Sequence, residues 1–290
     1  MADRLRFGPA GVPPPFRLVM SSVAGVPRLL REEGLDAFEY EAIYWGAKPQ
    51  MKQEEAEKLG SEARANDVWL SLHGSYFVNL VGEKQVVEAS KRRLIACATA
   101  AEWMNAHVVV FHPGFYGKRS PNEAFKSCVL SMKEIVENME ALGINDVKLG
   151  AETMGKPSQL GSLEEVMGFC EEIEQTQLVI DWSHLHARNH GRFRKIDDFR
   201  KVVEEVENRL GKEVAENMHC HFTKIEYSSR GERRHHVLDE SDYGPSFEML
   251  AKVIVEFKLK PVIICESPLL DVDAAKMRDV LKREREGASV

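Results

Sequence analysis

Histidine and carboxylate side chains stand at the ends of consecutive apolar runs in this sequence. The runs close with His73, with His112, with Glu152, with Asp181 and His184, with His219 and His221, and with Glu266. A carboxylate such as Glu152 or Glu266 in an almost wholly apolar run is costly unless a cation pairs with it. Mixed imidazole and carboxylate ligands suit Zn²⁺ first and Mn²⁺ or Fe²⁺ next. The pattern therefore predicts one polynuclear site for divalent cations.

The spacing of these residues adds detail to that prediction. Asp181 and His184 lie three residues apart, so a strand-end carboxylate and the imidazole that follows it can serve two neighbouring ions. The alternation of side chains along a strand directs the rings of His219 and His221 to the same side. The loop that follows carries three further residues that could bind a metal, Glu232, His235 and His236.

The elements that must position these groups are short strands alternating with helices. Eight β-rich runs are predicted at residues 4–8, 35–43, 68–74, 107–114, 147–153, 178–184, 217–222 and 261–268. Helical periodicity is predicted at residues 84–105, 122–142, 162–175, 195–210, 246–257 and 271–286, with Ser162 and Glu165 as a capping box.

Eight strand–helix units in 290 residues favour a single α/β domain over residues 1–290, a (β/α)8 TIM barrel. An open doubly wound sheet is disfavoured because it usually has fewer strands and carries G-x-G-x-x-G after the first. That motif and the P-loop are absent from the sequence, so we expect no nucleotide cofactor. A barrel brings the carboxyl ends of its strands to one rim, where the histidines and carboxylates would converge.

The composition restricts the environment and the partners. There are 39 Lys and Arg against 46 Asp and Glu, a net charge of −7, which disfavours binding of nucleic acid by bulk charge but allows it at a basic rim or beside bound cations. The five cysteines are scattered and form no C-x-x-C pair, which is typical of free thiols in a reducing cytosol. No run approaches the length of a membrane span. We expect a cytoplasmic monomer with no membrane partner.

Several of these segments resemble the endonuclease IV type of apurinic/apyrimidinic endonucleases, within the xylose isomerase-like TIM barrels. The resemblance extends over nearly the whole chain and is carried by HGSYFVNL, FHPGFYG, AETMGK, DWSHLHAR and ICESP. The FHPG segment and the pattern H-x-S-Y-x-x-N are fairly specific to that family; the barrel by itself is not.

The resemblance implies a trinuclear zinc site. His73 and His112 would hold one ion, and Glu152 would bridge it to a second. Asp181, a histidine of the seventh strand and Glu266 would hold that second ion, and His184 would help to hold the third. Glu152 and Glu266 are thereby the expected catalytic carboxylates. Tyr76 matches the tyrosine that enters the DNA beside the lesion, and Arg188 lies in a loop where substrate contact is expected.

Two positions depart from the family pattern or leave it open. The family has Asp-x-His after the seventh strand, and a direct overlay puts Arg233 where that Asp should be. Either Glu232 takes the place by a one-residue shift and joins His184 and His235 on the third ion, or Arg233 acts as a phosphate clamp. Either His219 or His221 could be the ligand on the seventh strand; His221 is preferred because it is nearer the carboxyl end.

The resulting expectation is a zinc enzyme, with two or three ions, that hydrolyses the phosphodiester 5′ to abasic sites in DNA during base excision repair. The alternative is a metal-dependent sugar isomerase or epimerase of the same superfamily, with one ion on Glu152, Asp181, His221 and Glu266. Such an enzyme has no use for His73, His112 and His184 as extra ligands. A metal-storing scaffold has little support because the ligands line a rim where substrates bind.

Overall fold

The computed structural model describes residues 4–287, and its strands form a barrel with one hairpin added. In chain order the strands are β1 (Arg6–Pro9), β2 (Ala37–Glu41), β3 (Trp69–His73), β4 (Val108–Phe111), β5 (Lys148–Ala151), β6 (Val179–Asp181), β7 (His219–Phe222), β8 (Lys224–Ser228), β9 (Gly231–His236) and β10 (Val262–Cys265). Strands β1 to β7 and β10 are parallel to their neighbours, whereas β8 and β9 pair antiparallel.

Two four-stranded sheets close into one barrel at two seams. One sheet has the order β1-β10-β7-β6 and the other β2-β3-β4-β5. The first seam joins β1 to β2 through a parallel bridge between Ala10 and Glu39, and the second joins β5 to β6 through a bridge between Glu152 and Val179. Each predicted run overlaps one of the eight barrel strands, so the (β/α)8 fold expected from the sequence is confirmed.

Helices follow the strands and cover the outside of the barrel. They are α1 (Val26–Glu32), α2 (Gln53–Ala65), α3 (Lys84–Met104), α4 (Pro121–Ala141), α5 (Leu163–Glu172), α6 (Trp182–Arg188), α7 (Ile196–Leu210), α8 (Lys212–Glu216), α9 (Phe247–Glu256) and α10 (Asp271–Gly287). Short 3-10 turns occupy Pro14–Leu18 and Val23–Gly25. The predicted capping box of Ser162 and Glu165 is formed at the start of α5. No helix within residues 4–287 is long and apolar enough to cross a membrane.

The strands alternate between two environments, as the period of two residues requires. Phe38, Leu72 and Val109 face outward and join the large core beneath the helices. The residues between them face the barrel axis, where two small apolar clusters fill the lower part. One comprises Ala37, Val262 and Ile264, and the other Val108, Val110 and Val179. The inward positions nearest the carboxyl ends of the strands are polar, and this end is called the mouth below.

Two local elements differ from the sequence prediction. The run 178–184 was expected to be a strand throughout, but β6 ends at Asp181 and α6 begins at once. Asp181 caps that helix because its side chain accepts hydrogen bonds from the backbone amides of Ser183 and His184. The segment after β7, expected to be a loop, is the hairpin β8–β9.

Candidate metal centre

The mouth of the barrel gathers the polar residues that end its strands. Six consecutive barrel strands each contribute one inward-facing residue there, either near the end of the strand or directly after it. These residues are His73, His112, Glu152, Asp181, His221 and Glu266. Helix α6 adds His184, and the hairpin adds Glu232 and His235. The structure thus brings the predicted ligands together within one cluster, except His219, which groups with Glu39 and His221 one layer deeper.

Glu152 lies at the middle of this cluster and is completely buried. Its Oε2 atom is 3.1 Å from Nε2 of His112 and 3.4 Å from Nε2 of His73. Its Oε1 atom is 3.0 Å from Nδ1 of His184 and 3.4 Å from Nδ1 of His221. One carboxylate therefore faces four imidazoles, two on each oxygen.

Three groups of ligand atoms adjoin one another at the mouth. Within each group of described residues the atoms lie no more than 4.8 Å apart. The groups are His73, His112 and Glu152; then Glu152, Asp181, His221 and Glu266; then His184, His235 and Glu266. Glu152 belongs to the first two groups and Glu266 to the last two. The arrangement offers three neighbouring positions for cations.

Backbone carbonyls fix the orientation of three of these histidine rings. Nδ1 of His73 donates to the carbonyl of Gly74 and Nδ1 of His184 to that of Thr153, each at 3.0 Å. Nδ1 of His235 donates to the carbonyl of Glu266 at 3.2 Å. A carbonyl only accepts, so the lone pair of each neutral ring is on Nε2.

Glu232 reaches the cluster from the hairpin. Its Oε2 atom lies 3.0 Å from Nε2 of His184, and its Oε1 atom lies 3.5 Å from Nζ of Lys156. Arg233 points elsewhere, since its side chain is 61% exposed and pairs with Glu226 at 2.7 Å. The structure therefore places Glu232 beside His184, where the overlay of the family pattern put Arg233.

The two histidines of β7 both face the barrel axis but contact different groups. His221, level with Asp181 on β6, faces Glu152 and Glu266. His219 lies one step deeper, and its Nε2 atom is 3.1 Å from Oε2 of Glu39. The sequence analysis did not single out Glu39. A signal was present, because Glu39 and Glu41 occupy alternate positions of a strand whose other residues, Ala37, Phe38 and Tyr40, are apolar or aromatic.

Two residues predicted to contact substrate have distinct surroundings. The Tyr76 ring is 49% exposed at the mouth and stacks on His112, with centroids 5.4 Å apart. Arg188 instead donates to the carbonyls of Lys156 and Gln159, at 2.6 and 3.0 Å, and to the Tyr116 hydroxyl. Its guanidinium holds the loop after β5, a supporting role that the sequence did not indicate.

The charges of the cluster shift its pKa values strongly. Burial opposes ionisation of Glu152, but the imidazoles of His221 and His184 outweigh it and hold the pKa of this carboxyl well below its usual range. Burial would lower the pKa of His73, yet Glu152 and other carboxylates raise it to about 10. Burial raises the pKa of Asp181 to about 8. Imidazolium groups thus balance the carboxylates, and divalent cations bound here would displace those protons.

Buried polar atoms without hydrogen-bond partners show that cations fit this cluster. In the described part of the chain they include both carboxylate oxygens of Glu152, Oδ2 of Asp181, Oε2 of Glu232 and both ring nitrogens of His221. Buried polar atoms left unpaired are costly, and each of these atoms faces an imidazole nitrogen or a carboxylate oxygen of another residue. Imidazole with carboxylate is a donor set suited to Zn²⁺ and, after it, to Mn²⁺ or Fe²⁺.

Comparison with known proteins defines the class. The family described as xylose isomerase-like TIM barrel matches residues 27–284, and the chain belongs to this family. An uncharacterised protein of Methanocaldococcus jannaschii is 36% identical over 271 residues, 93% of this chain and 94% of that protein. A protein named probable endonuclease 4, from Staphylococcus carnosus, is 26% identical over 260 residues, 84% of this chain and 83% of that protein.

Two solved structures share the fold over almost the whole chain. Endonuclease IV of Thermus thermophilus superposes with a TM-score of 0.71 at 20% identity, over 98% of this chain and 99% of that one. A D-tagatose 3-epimerase-like protein gives 0.69 at 18% identity, over 98% of both chains. These two likenesses show the fold alone. The resemblance to endonuclease IV noted in the sequence is confirmed by the sequence relatives together with the fold.

Proposed function

We propose that this protein is a metal-dependent endonuclease that hydrolyses the phosphodiester on the 5′ side of abasic sites in DNA and serves base excision repair. The observation that carries the proposal is the chain of three adjoining ligand groups, linked through Glu152 and Glu266. Hydrolysis of a phosphodiester needs stabilisation of both the attacking and the leaving oxygen, which clustered ions provide. The named relative and the endonuclease IV fold support the same class.

The residues that would hold the ions follow from the groups. His73, His112 and Glu152 would hold the first ion, and Glu152 with Asp181, His221 and Glu266 the second. His184, His235 and Glu232 would hold the third, beside Glu266. When bound, zinc ions act as Lewis acids on the phosphate and lower the pKa of a bound water towards neutrality. Asp181 also caps α6, the helix that carries His184, and backbone carbonyls orient the rings of His73 and His184.

Aromatic residues at the mouth form the surface on which DNA would lie. Tyr44, Tyr76 and Phe77 are 70%, 49% and 57% exposed, and the rings of Tyr44 and Tyr76 are in edge contact. An exposed ring can stack on nucleotides beside a missing base. Lys156, next to Glu232, provides a cation for a phosphate despite the net charge of −7.

The alternative is a sugar epimerase with one metal ion. The fold likeness to a D-tagatose 3-epimerase-like protein favours it, and Glu152, Asp181, His221 and Glu266 would suffice as ligands. That activity leaves His73, His112, His184 and His235 without a purpose, although all of them turn towards the same cluster. The endonuclease accounts for them.

The proposal is tested with metal-depleted protein reconstituted with Zn²⁺, Mn²⁺ or Mg²⁺. We expect a labelled duplex with one synthetic abasic site to be cut on its 5′ side, leaving a 3′-hydroxyl that a DNA polymerase extends. An intact duplex should remain uncut. Glu152→Gln should abolish cleavage, while Glu140→Gln, at an exposed position of α4, should not. Absence of cleavage in fully loaded protein, with epimerisation of ketohexoses instead, would establish the alternative.

A further inference from the structure

One layer below the mouth, a buried carboxylate joins the two histidines of β7. Glu39, on β2, is completely buried. Its Oε2 atom accepts hydrogen bonds from Oγ of Ser71 at 2.7 Å and from Nε2 of His219 at 3.1 Å. Its Oε1 atom lies 2.9 Å from Nε2 of His221. Within residues 4–287 neither Oε1 of Glu39 nor Nε2 of His221 has a hydrogen-bond partner of good geometry, so this 2.9 Å contact is the one that a small rotation of either group would complete.

The His221 ring is turned the opposite way from its neighbours. His73 and His112 both present Nε2 to Glu152, and His73 donates through Nδ1 to a backbone carbonyl. His221 presents Nδ1 instead, 3.2 Å from Oε1 of Glu266 and 3.4 Å from Oε1 of Glu152. In the described part of the chain no carbonyl accepts a hydrogen bond from its Nε2 atom, which lies against Oε1 of Glu39.

The chemistry of a neutral imidazole makes this arrangement consequential. Such a ring has one N–H group and one lone pair, so the group that accepts at one nitrogen decides that the other can bind a metal. Histidines that bind metals almost always donate their other N–H to a carboxylate or a carbonyl. Glu39 is suited to this because Ser71 and His219 hold its other oxygen and prevent it from turning.

We propose that Glu39 is a positioning residue for the metal centre: it keeps the proton of His221 on Nε2 and directs Nδ1 at the ion between Glu152 and Glu266. His219 then orients Glu39 and is not itself a ligand. The inference rests on the proposed metal centre but not on the identity of the substrate.

The direct test is nitrogen-15 NMR of histidine-labelled, zinc-loaded protein, which reports for each ring which nitrogen carries the proton. We expect His221 to be protonated at Nε2 and bound through Nδ1, and His219 to remain free of zinc. Coordination of His221 through Nε2, or of His219 in its place, overturns the proposal. This measurement needs no substitution and therefore does not depend on how well a variant folds.

Substitution of Glu39 provides the second arm. Glu39→Gln in the full chain should lower the affinity for the zinc ion at His221 by about 10 to 100 fold, measured by competition with a chromophoric chelator. Glu41→Gln is the matched control, because it removes a carboxylate two residues along the same strand that acts on His73 and His221 through its charge and not through a hydrogen bond. The nitrogen-15 spectrum of Glu41→Gln should still show His221 protonated at Nε2 and bound through Nδ1. Equal losses of affinity in both variants would mean that charge alone matters and would refute positioning.

Failure of this inference is distinguishable from failure of the proposed function. Protein that binds zinc through Nδ1 of His221 yet leaves abasic DNA uncut refutes the endonuclease and supports the positioning role. Protein that cuts abasic DNA with His221 bound through Nε2 supports the endonuclease and refutes the positioning role. A protein that binds no zinc at His221 overturns both.

Discussion

The Oε2 atom of Glu232 lies 3.0 Å from Nε2 of His184, although one residue belongs to the hairpin and the other to the helix that follows β6. A β-bulge in the hairpin allows Glu232 to make this contact. The pairing of β8 with β9 shifts register where Tyr227 faces Glu232 and Glu226 faces Arg234, which leaves Arg233 as the extra residue. An extra residue changes the alternation of side chains, so Glu232 and His235, three residues apart, can both face the mouth.

This contact predicts opposite results for two adjacent substitutions. Glu232→Gln should release one metal equivalent and slow cleavage, because it weakens the group around His184. Arg233→Gln should leave the metal content unchanged and at most increase the salt sensitivity of DNA binding, since its guanidinium faces solvent and Glu226. Elemental analysis of the two purified variants decides between them. Loss of metal in Arg233→Gln alone would contradict the geometry.

Gly155 offers a way to displace Glu232 without changing a ligand. A Cβ atom at this position would lie 2.0 Å from Oε2 of Glu232 and 2.9 Å from its Cβ atom. We expect Gly155→Ala to move the carboxylate away from His184 and to lower the metal content by one equivalent. Gly46→Ala is the control, because nothing lies within 4 Å of its added methyl group. Full metal occupancy in Gly155→Ala would show that Glu232 is dispensable.

The sequence was sufficient for the barrel because each strand carries its own signal. Short apolar runs such as residues 107–114 and 261–268 are separated by helical periodicity, and their ends carry the charged residues that only a rim can accommodate. The capping box at Ser162 likewise depends on residues three positions apart, which local reasoning detects. Signals of this kind are contained within one element.

The parts that the sequence did not predict depend on contacts between elements. The hairpin β8–β9 is rich in Arg, Glu and His and lacks an apolar run, so it was expected to be a loop. Glu39 was overlooked because its partners His219 and His221 are about 180 positions away in the chain. Likewise, only the three-dimensional arrangement shows that Arg188 donates to carbonyls of the loop after β5.

Glu152 is predicted to be the residue on which most of the cluster depends. It faces His73 and His112 with one oxygen and His184 and His221 with the other. Glu152→Gln should therefore lose more than one metal equivalent, because an amide cannot bridge two ions as a carboxylate does. The metal content of the variant, compared with Glu140→Gln, measures this. A loss of one equivalent or none would show that Glu152 does not bridge.

Tyr76 is predicted to act on DNA and not on metal. Its ring stacks on His112 and makes an edge contact with His73, but half of it remains exposed at the mouth. Tyr76→Ala should weaken binding of abasic duplex by about 1 to 3 kcal/mol, the value of one stacked ring. Tyr76→Phe, which keeps the ring, should retain most of the affinity, and both variants should keep their metal content. Unaltered duplex affinity in Tyr76→Ala would make the loop a lid.

The opposite end of the barrel provides a prediction on pH that does not involve the metal centre. The His107 ring stacks on Trp69 with centroids 3.4 Å apart. Burial, with a contribution from Arg6, lowers the pKa of His107 from 6.5 to about 4. At a pH between these two pKa values, His107 is protonated in the unfolded chain and neutral in the folded chain. The stabilising contribution is therefore complete above about pH 6.5 and is lost as the pH falls towards 4.

His107→Phe preserves an aromatic ring against Trp69 but cannot titrate, so the two proteins should respond differently to acid. We expect the free energy of unfolding of the wild type to fall between pH 7 and pH 5 by about 1 kcal/mol more than that of the variant, after allowing for the partial exposure of the ring. Urea unfolding of both metal-depleted proteins at the two pH values measures the difference, and the histidines at the mouth cancel because both proteins contain them. Equal losses in the two proteins would show that His107 takes up its proton in the folded state as readily as in the unfolded one.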